Sequence, residues 1–170
     1  MKYFIDKKSA LCYNTMCILN IVGKVIIMRI MAVDFGDSRT GLAVCDKGEI
    51  LASPLATVFE KNFDRCAEEV AKKAAENKAE MLVVGDPVNM NGTRGERSEK
   101  CRLFAEKLRE LSGLEVQMWD ERSTTVSAIN IMNENNRRGK KRKEVLDQAA
   151  AAIILESFLA FRKNQSQKTT

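Results

Sequence analysis

Asp34 stands in the run Met31-Ala32-Val33-Asp34-Phe35, within a stretch apolar enough to be a buried central strand. A buried carboxylate must be offset by a cation, by hydrogen bonds or by a metal ion. The plainer alternative is a strand-end aspartate bonding the turn at Gly36. Asp120 and Glu121 directly follow a second apolar stretch, with Ser123, Thr124 and Thr125 next. Spacing alone favours a helix start there, since acids and hydroxyls satisfy free N–H groups and meet the positive end of the dipole. Asp147 precedes an alanine-rich, almost wholly apolar run. It could serve as a first-turn acid, but close packing of that helix on a sheet would turn it towards the strand ends.

The chain has 170 residues and no histidine. That excludes a Ser-His-Asp triad, a Cys-His pair and any histidine metal site. Five cysteines, at 12, 17, 45, 66 and 101, form no C-x-x-C, which argues against a zinc ribbon or a redox pair. Free thiols fit a reducing cytosol, so a cytoplasmic location is expected. Three converging carboxylates without histidine suit hard, oxygen-seeking Mg2+ or Mn2+. Such a site can activate water on one side of a phosphodiester and stabilise the leaving oxygen on the other.

The elements that must position these acids follow from periodicity. Arg29–Phe35, Thr40–Cys45 and Ile50–Phe59 read as three strands joined by short turns, an antiparallel meander, with Pro54 pointing to an edge or a bulge. Phe63, Ala67, Val70, Ala71 and Ala74 then recur at helical spacing, giving a helix over Asn62–Asn77. Glu80–Gly85 is a short strand, and Asp86–Glu96 a polar loop. Cys101, Phe104, Leu108 and Leu111 mark a second helix ending near Gly113. Leu114–Trp119 is a fifth strand, and Val126, Ile129 and Met132 mark a third helix. Asn135–Lys143 is a basic loop and Glu144–Phe161 a last helix. The order predicts an α/β fold, a mixed sheet flanked by helices. Asp34 and Glu121 then fall at or near the C-terminal strand ends, where ligands gather in such sheets.

Three segments are expected: an extension over 1–27 outside the domain, the domain over 28–163, and a polar tail over 164–170. The extension carries four lysines and one acid, and its apolar run is too interrupted to span a membrane. From Met28 onward the net charge is only +2. Arg137, Arg138, Lys140, Lys141, Arg142 and Lys143 place six cations in seven positions on an otherwise net-negative domain. A charge run is often just a solvated loop, but this focus points to nucleic acid.

The segments Asp34-Phe35-Gly36-Asp37-Ser38-Arg39-Thr40-Gly41, Val84 to Thr93 (VGDPVNMNGT), Asp120-Glu121-Arg122-Ser123-Thr124-Thr125 and Asp147-x-x-Ala150-Ala151 occur in this order. The set resembles the YqgF/RuvX family of bacterial pre-16S rRNA nucleases, over about Met28 to Arg162. The resemblance implies an RNase H-like fold, related to the RuvC Holliday junction resolvases. It also implies metal-dependent phosphodiester hydrolysis in maturing the 5′ end of small-subunit ribosomal RNA, with a ribosome precursor as partner. The acidic set, catalytic and metal-holding, falls on Asp34, Glu121 and Asp147. Arg39 and the Asn89–Thr93 loop, with Asn89 and Asn91, match family positions near the phosphate backbone, and turn chemistry would explain that loop equally well; Arg137, Arg138, Lys140 and Lys141 are expected to bind nucleic acid on their charge alone. One departure is Asp86, where the family usually has leucine. Asp86 could be a fourth ligand, and the reading favoured here is a solvated loop residue. Competing functions are a junction resolvase on branched DNA, a non-catalytic RNA-binding assembly factor, and an actin-like ATPase, for which 170 residues supply one domain where two are needed.

Overall fold

The computed structural model describes residues 27–89, 92–121 and 140–168. Contacts divide the chain into two units, Ile27–Ala160 and Met1–Ile26 with Phe161–Thr170. The sheet and the acids belong to the first.

Five strands form one sheet: β1 (Ile30–Asp34), β2 (Thr40–Cys45), β3 (Ala52–Val58), β4 (Met81–Asp86) and β5 (Glu115–Asp120), in the order β3-β2-β1-β4-β5. β1, β2 and β3 pair antiparallel, while β4 and β5 run parallel to β1. This is the expected mixed α/β sheet, with its meander leading. The β2–β3 register slips between Leu42 and Ala43, beside Pro54 on the edge strand, so proline sits where a missing N–H does least harm.

Three described helices flank the sheet: α1 (Phe63–Glu76), α2 (Glu96–Ser112) and α3 (Lys140–Lys168). Asn62 caps α1, its side chain accepting from the Arg65 amide at 3.0 Å. α2 stops at Gly113, whose φ of 66° is left-handed. α3 starts four residues earlier than the predicted Glu144, which moves Lys140 and Lys141 from the basic loop into its first turn. Lysine and arginine are good helix formers, and nothing after Gly139 breaks the helix. α3 also continues to Lys168, into the segment expected as a polar tail. The helix predicted around Val126, Ile129 and Met132 lies outside the described residues, as does the 1–26 stretch. No described helix is long and apolar enough to cross a membrane.

Alternation along the strands sorts side chains onto two faces. Met31, Val33 and Phe35 join Leu82, Val84 and Val116 in a core under α1 and α2. Ile30, Ala32, Met81 and Val83 join Ala151, Ile154, Leu155 and Phe158 in a core under α3. Phe35 stacks on Phe104 with ring centroids 4.0 Å apart, and Phe63 meets both edge-on; each such pair adds roughly 0.5–1.5 kcal/mol beyond its burial. On the other face Trp119 packs edge-on against Phe158 and donates from Nε1 to the Ser157 hydroxyl at 3.1 Å, pinning α3 to β5.

Candidate active site

Asp34 ends β1 on the parity of Ile30 and Ala32, so its carboxylate belongs to the α3 face. Its register partner is Gly41 of β2. A Cβ on Gly41 would lie 2.0 Å from the Asp147 carbonyl oxygen. Only hydrogen fits between β2 and the α3 backbone there, and this close approach sets Asp147 beside Asp34. Arg39 completes the corner, its Nε 3.3 Å from Asp147 Oδ2.

A second glycine admits the third acid. Val33 pairs with Val84, so Gly85 stands one step beyond it, level with the end of β1. A Cβ on Gly85 would fall 2.7 Å from Glu121 Oε1 and 2.8 Å from Ile154 Cδ1. Glu121 therefore folds back over the end of β4, on the α3 face with Asp34 and Asp147. The three sequence-predicted acids share one edge of the sheet.

Their electrostatics follow from that placement. Burial pushes Asp34 above the ordinary carboxylate range; Arg97 opposes this and Asp147 adds to it. Glu121 is also raised, first by burial and then by the charge of Asp34, with Arg97 opposing and Asp86 and Asp120 adding smaller repulsions. Below them Cys101 is pushed up to about 12, chiefly by burial. Among the described residues no three acidic or thiol side chains already lie close enough to hold a metal ion together. The donor chemistry nevertheless fits one. Buried, mutually repelling carboxylate oxygens are the groups a hard divalent cation relieves most.

Asp86 is corrected by the structure. It is the last residue of β4 rather than a solvated loop residue, and is 3% exposed. On the parity of Leu82 and Val84 it turns to the α2 face, away from the α3 side that holds the other acids. Ser98 donates to its Oδ1, and Arg94 Nε donates to Oδ2 at 3.2 Å.

The model of the RuvX family, described as Holliday junction resolvase, matches residues 28–161. The chain belongs to the RuvX family. A protein of Agathobacter rectalis named "Putative pre-16S rRNA nuclease" is 41% identical over 140 residues, covering 81% of this chain and 98% of that one. One of the same name from Caldanaerobacter subterraneus is 42% identical over 142 residues, covering 81% and 99%. The solved structure of T. thermophilus RuvC with a Holliday junction substrate superposes with a TM-score of 0.55 over 81% of this chain and 96% of that one. At 15% identity that likeness shows the fold alone, which is the expected RNase H-like one.

Within this RuvX fold the predicted nucleic-acid contacts fare unevenly. Arg39 is engaged with Asp147. The Asn89 side chain donates to Thr93 Oγ1 at 2.9 Å, so its amide serves the turn. Asn91, Arg137 and Arg138 lie outside the described residues. Arg97, Arg94 and Ser98 are functional candidates that sequence reasoning does not single out. Their signal is that Arg94 lies just before the N-cap Gly95 and Arg97 and Ser98 in the first turn of the helix that follows, which is visible only once that helix is placed.

Proposed function

We propose that this RuvX-family chain is a divalent-metal-dependent nuclease that hydrolyses phosphodiester bonds in the 16S ribosomal RNA precursor. The observation that carries it is the placing of Asp34 and Glu121 together at one end of the strands, both raised chiefly by burial and then by neighbouring carboxylates, with Asp147 brought beside Asp34 through Gly41. The names of relatives about 40% identical over most of the chain supply the substrate class.

Asp34, Glu121 and Asp147 would hold the Mg2+ or Mn2+ ion. When bound, such an ion generates a water nucleophile at neutral pH and stabilises charge on the phosphate. The chain's own residues set the conditions. Asp34 and Glu121 must be ionised, and the Arg97 charge holds both closer to that state. Arg39 orients Asp147. The first turn of α3 reads Lys140-Lys141-Arg142-Lys143 with no acid, at the helix end whose dipole already favours anions. That arrangement opposes the helix unless phosphates meet it, which supports a nucleic-acid substrate reaching α3 from its N-terminal end.

A second reading has one finding of its own: the family model is described as a Holliday junction resolvase. One assay separates the two. Purified protein is offered a 16S precursor carrying its 5′ leader and, separately, a four-way DNA junction, with Mg2+, Mn2+ or EDTA. Expected is cleavage of the RNA with either metal, loss with EDTA, and loss in a folded Asp34→Asn variant. Cleavage of the junction alone would establish the resolvase, and no cleavage of either substrate would leave a binding protein.

A further inference from the structure

Asp86 and Arg94 form a pair that the acid cluster does not use. Asp86 is almost wholly buried at the end of β4, in register with Asp120 of β5 and adjacent to Gly85, over which Glu121 folds. A carboxylate so buried needs compensation. Ser98 supplies one hydrogen bond and the Arg94 Nε another. The Arg94 side chain itself is 58% exposed, whereas the Asp86 side chain is 4% exposed. Only its Nε is engaged among the described residues, which leaves the Nη edge of the guanidinium facing outward. That edge is a planar two-donor fork, the shape that grips a phosphate in bidentate fashion.

The backbone fixes where the fork stands. Val88 and Arg94 form a β-bridge, and the Asn89 amide donates to the Thr93 carbonyl at 3.0 Å. The Gly92 amide donates to the Asn89 carbonyl at 2.8 Å, closing the turn. Arg94 is thus the foot of a short closed loop, set on a buried carboxylate. It stands on the α2 side of the strand ends whose α3 side carries Asp34, Glu121 and Asp147.

We propose that Arg94, held by Asp86, binds a phosphodiester of the substrate strand flanking the one that is cut. Asp86 is then a positioning residue, and the chain's departure from leucine at that position gains a purpose. The inference deepens the nuclease reading above and rests on it.

Binding is measured without cleavage, by fluorescence anisotropy of a labelled single-stranded RNA in EDTA, with every protein carrying Asp34→Asn. Arg94→Met should weaken binding about three- to tenfold and lower the slope of log K against log salt by about 0.7, as expected when one single-strand phosphate is no longer neutralised. Arg94→Lys should keep most of the slope. Asp86→Asn should weaken binding although it adds positive charge to the protein; tighter binding would mean that Asp86 merely neutralises Arg94, and would overturn the proposal. If Arg94→Met loses its fold, Asp86→Leu with Arg94→Met removes both charges and must still show the reduced slope. An unchanged slope in a folded Arg94 variant sinks this inference and leaves the nuclease reading to the cleavage assay. Failure of the Asp34→Asn parent to bind RNA at all in EDTA would likewise overturn this inference, which needs a phosphate contact independent of the metal, and the cleavage assay alone decides the nuclease reading.

Discussion

Asp34 and Glu121 hold protons more tightly than free carboxylates because burial penalises ionisation first, with the charge of Asp147 adding to it at Asp34 and the charge of Asp34 adding to it at Glu121, and Arg97 is the cation that limits the effect. Removing that cation lets both values climb further. The acidic limb of the cleavage profile, which reports ionisation of these groups, should therefore move to higher pH in Arg97→Met. Its measurement is kcat/KM against pH for wild type and variant. An unmoved limb would mean that other groups govern the profile. Cys101, pushed up to about 12, is almost wholly thiol at neutral pH and so a poor nucleophile. Brief alkylation of the native protein at pH 8 should leave Cys101 unmodified by peptide mass analysis, and unfolding in denaturant should expose it.

At the scale of elements, two glycines decide whether the acids meet. Gly41→Ala drives a methyl group into the Asp147 carbonyl, where backbone cannot yield. Expected are a loss near the upper end of the roughly 1–3 kcal/mol range for overpacking, and cleavage lost even below the melting temperature, because α3 must lift away from β2. Thermal unfolding together with activity at low temperature checks this; an active, equally stable variant would show that packing of α3 on Gly41 does not place Asp147. The strands and the first two helices are legible in the sequence because their periods of two and near four are local properties of the chain. The start of α3 is not, because a run of cations reads equally well as a solvated loop or as a helical turn. Asp86 misleads for a related reason. Its proline neighbour signals a loop, yet parallel pairing with β5 carries the strand one residue further.

For the whole molecule, the raised carboxylates make stability depend on pH with a definite sign. The folded state binds more protons than the unfolded one between the ordinary carboxylate range and the raised values. Stability is therefore fullest at or below the ordinary range and falls as pH rises through the raised pKa values of Asp34 and Glu121. In EDTA at neutral pH, Asp34→Asn should melt higher than wild type, by about 2–4 °C for each kcal/mol regained. Saturating Mg2+ or Mn2+ should raise the wild-type melting point and leave the variant nearly unmoved. A variant that melts lower in EDTA would mean that Asp34 is held as a structural anion. The basic cluster acts at the same scale. Replacing Arg137, Arg138, Lys140 and Lys141 with Ser should lower the salt slope of RNA binding by about 0.7 for each phosphate no longer neutralised, and an unchanged slope would reduce the cluster to a connector.

The order of strands and helices, the absence of histidine chemistry, and the placing of Asp34 at a strand end follow from the sequence itself, since alternation and composition need no distant partner. The resemblance of four short segments adds the same three acids from one end of the chain to the other. What joins those acids belongs to the tertiary structure. Asp147 reaches Asp34 because Gly41 lets a helix backbone touch β2, and Glu121 folds back because Gly85 leaves room above β4. Asp86 finds Ser98 and Arg94 only when α2 is docked. Whether a carboxylate ends as a metal ligand or as an anchor for an arginine depends on which face it occupies and what that face is packed against. Parity along a strand is local, but the phase of a strand against its helices is set by the packing of the whole sheet.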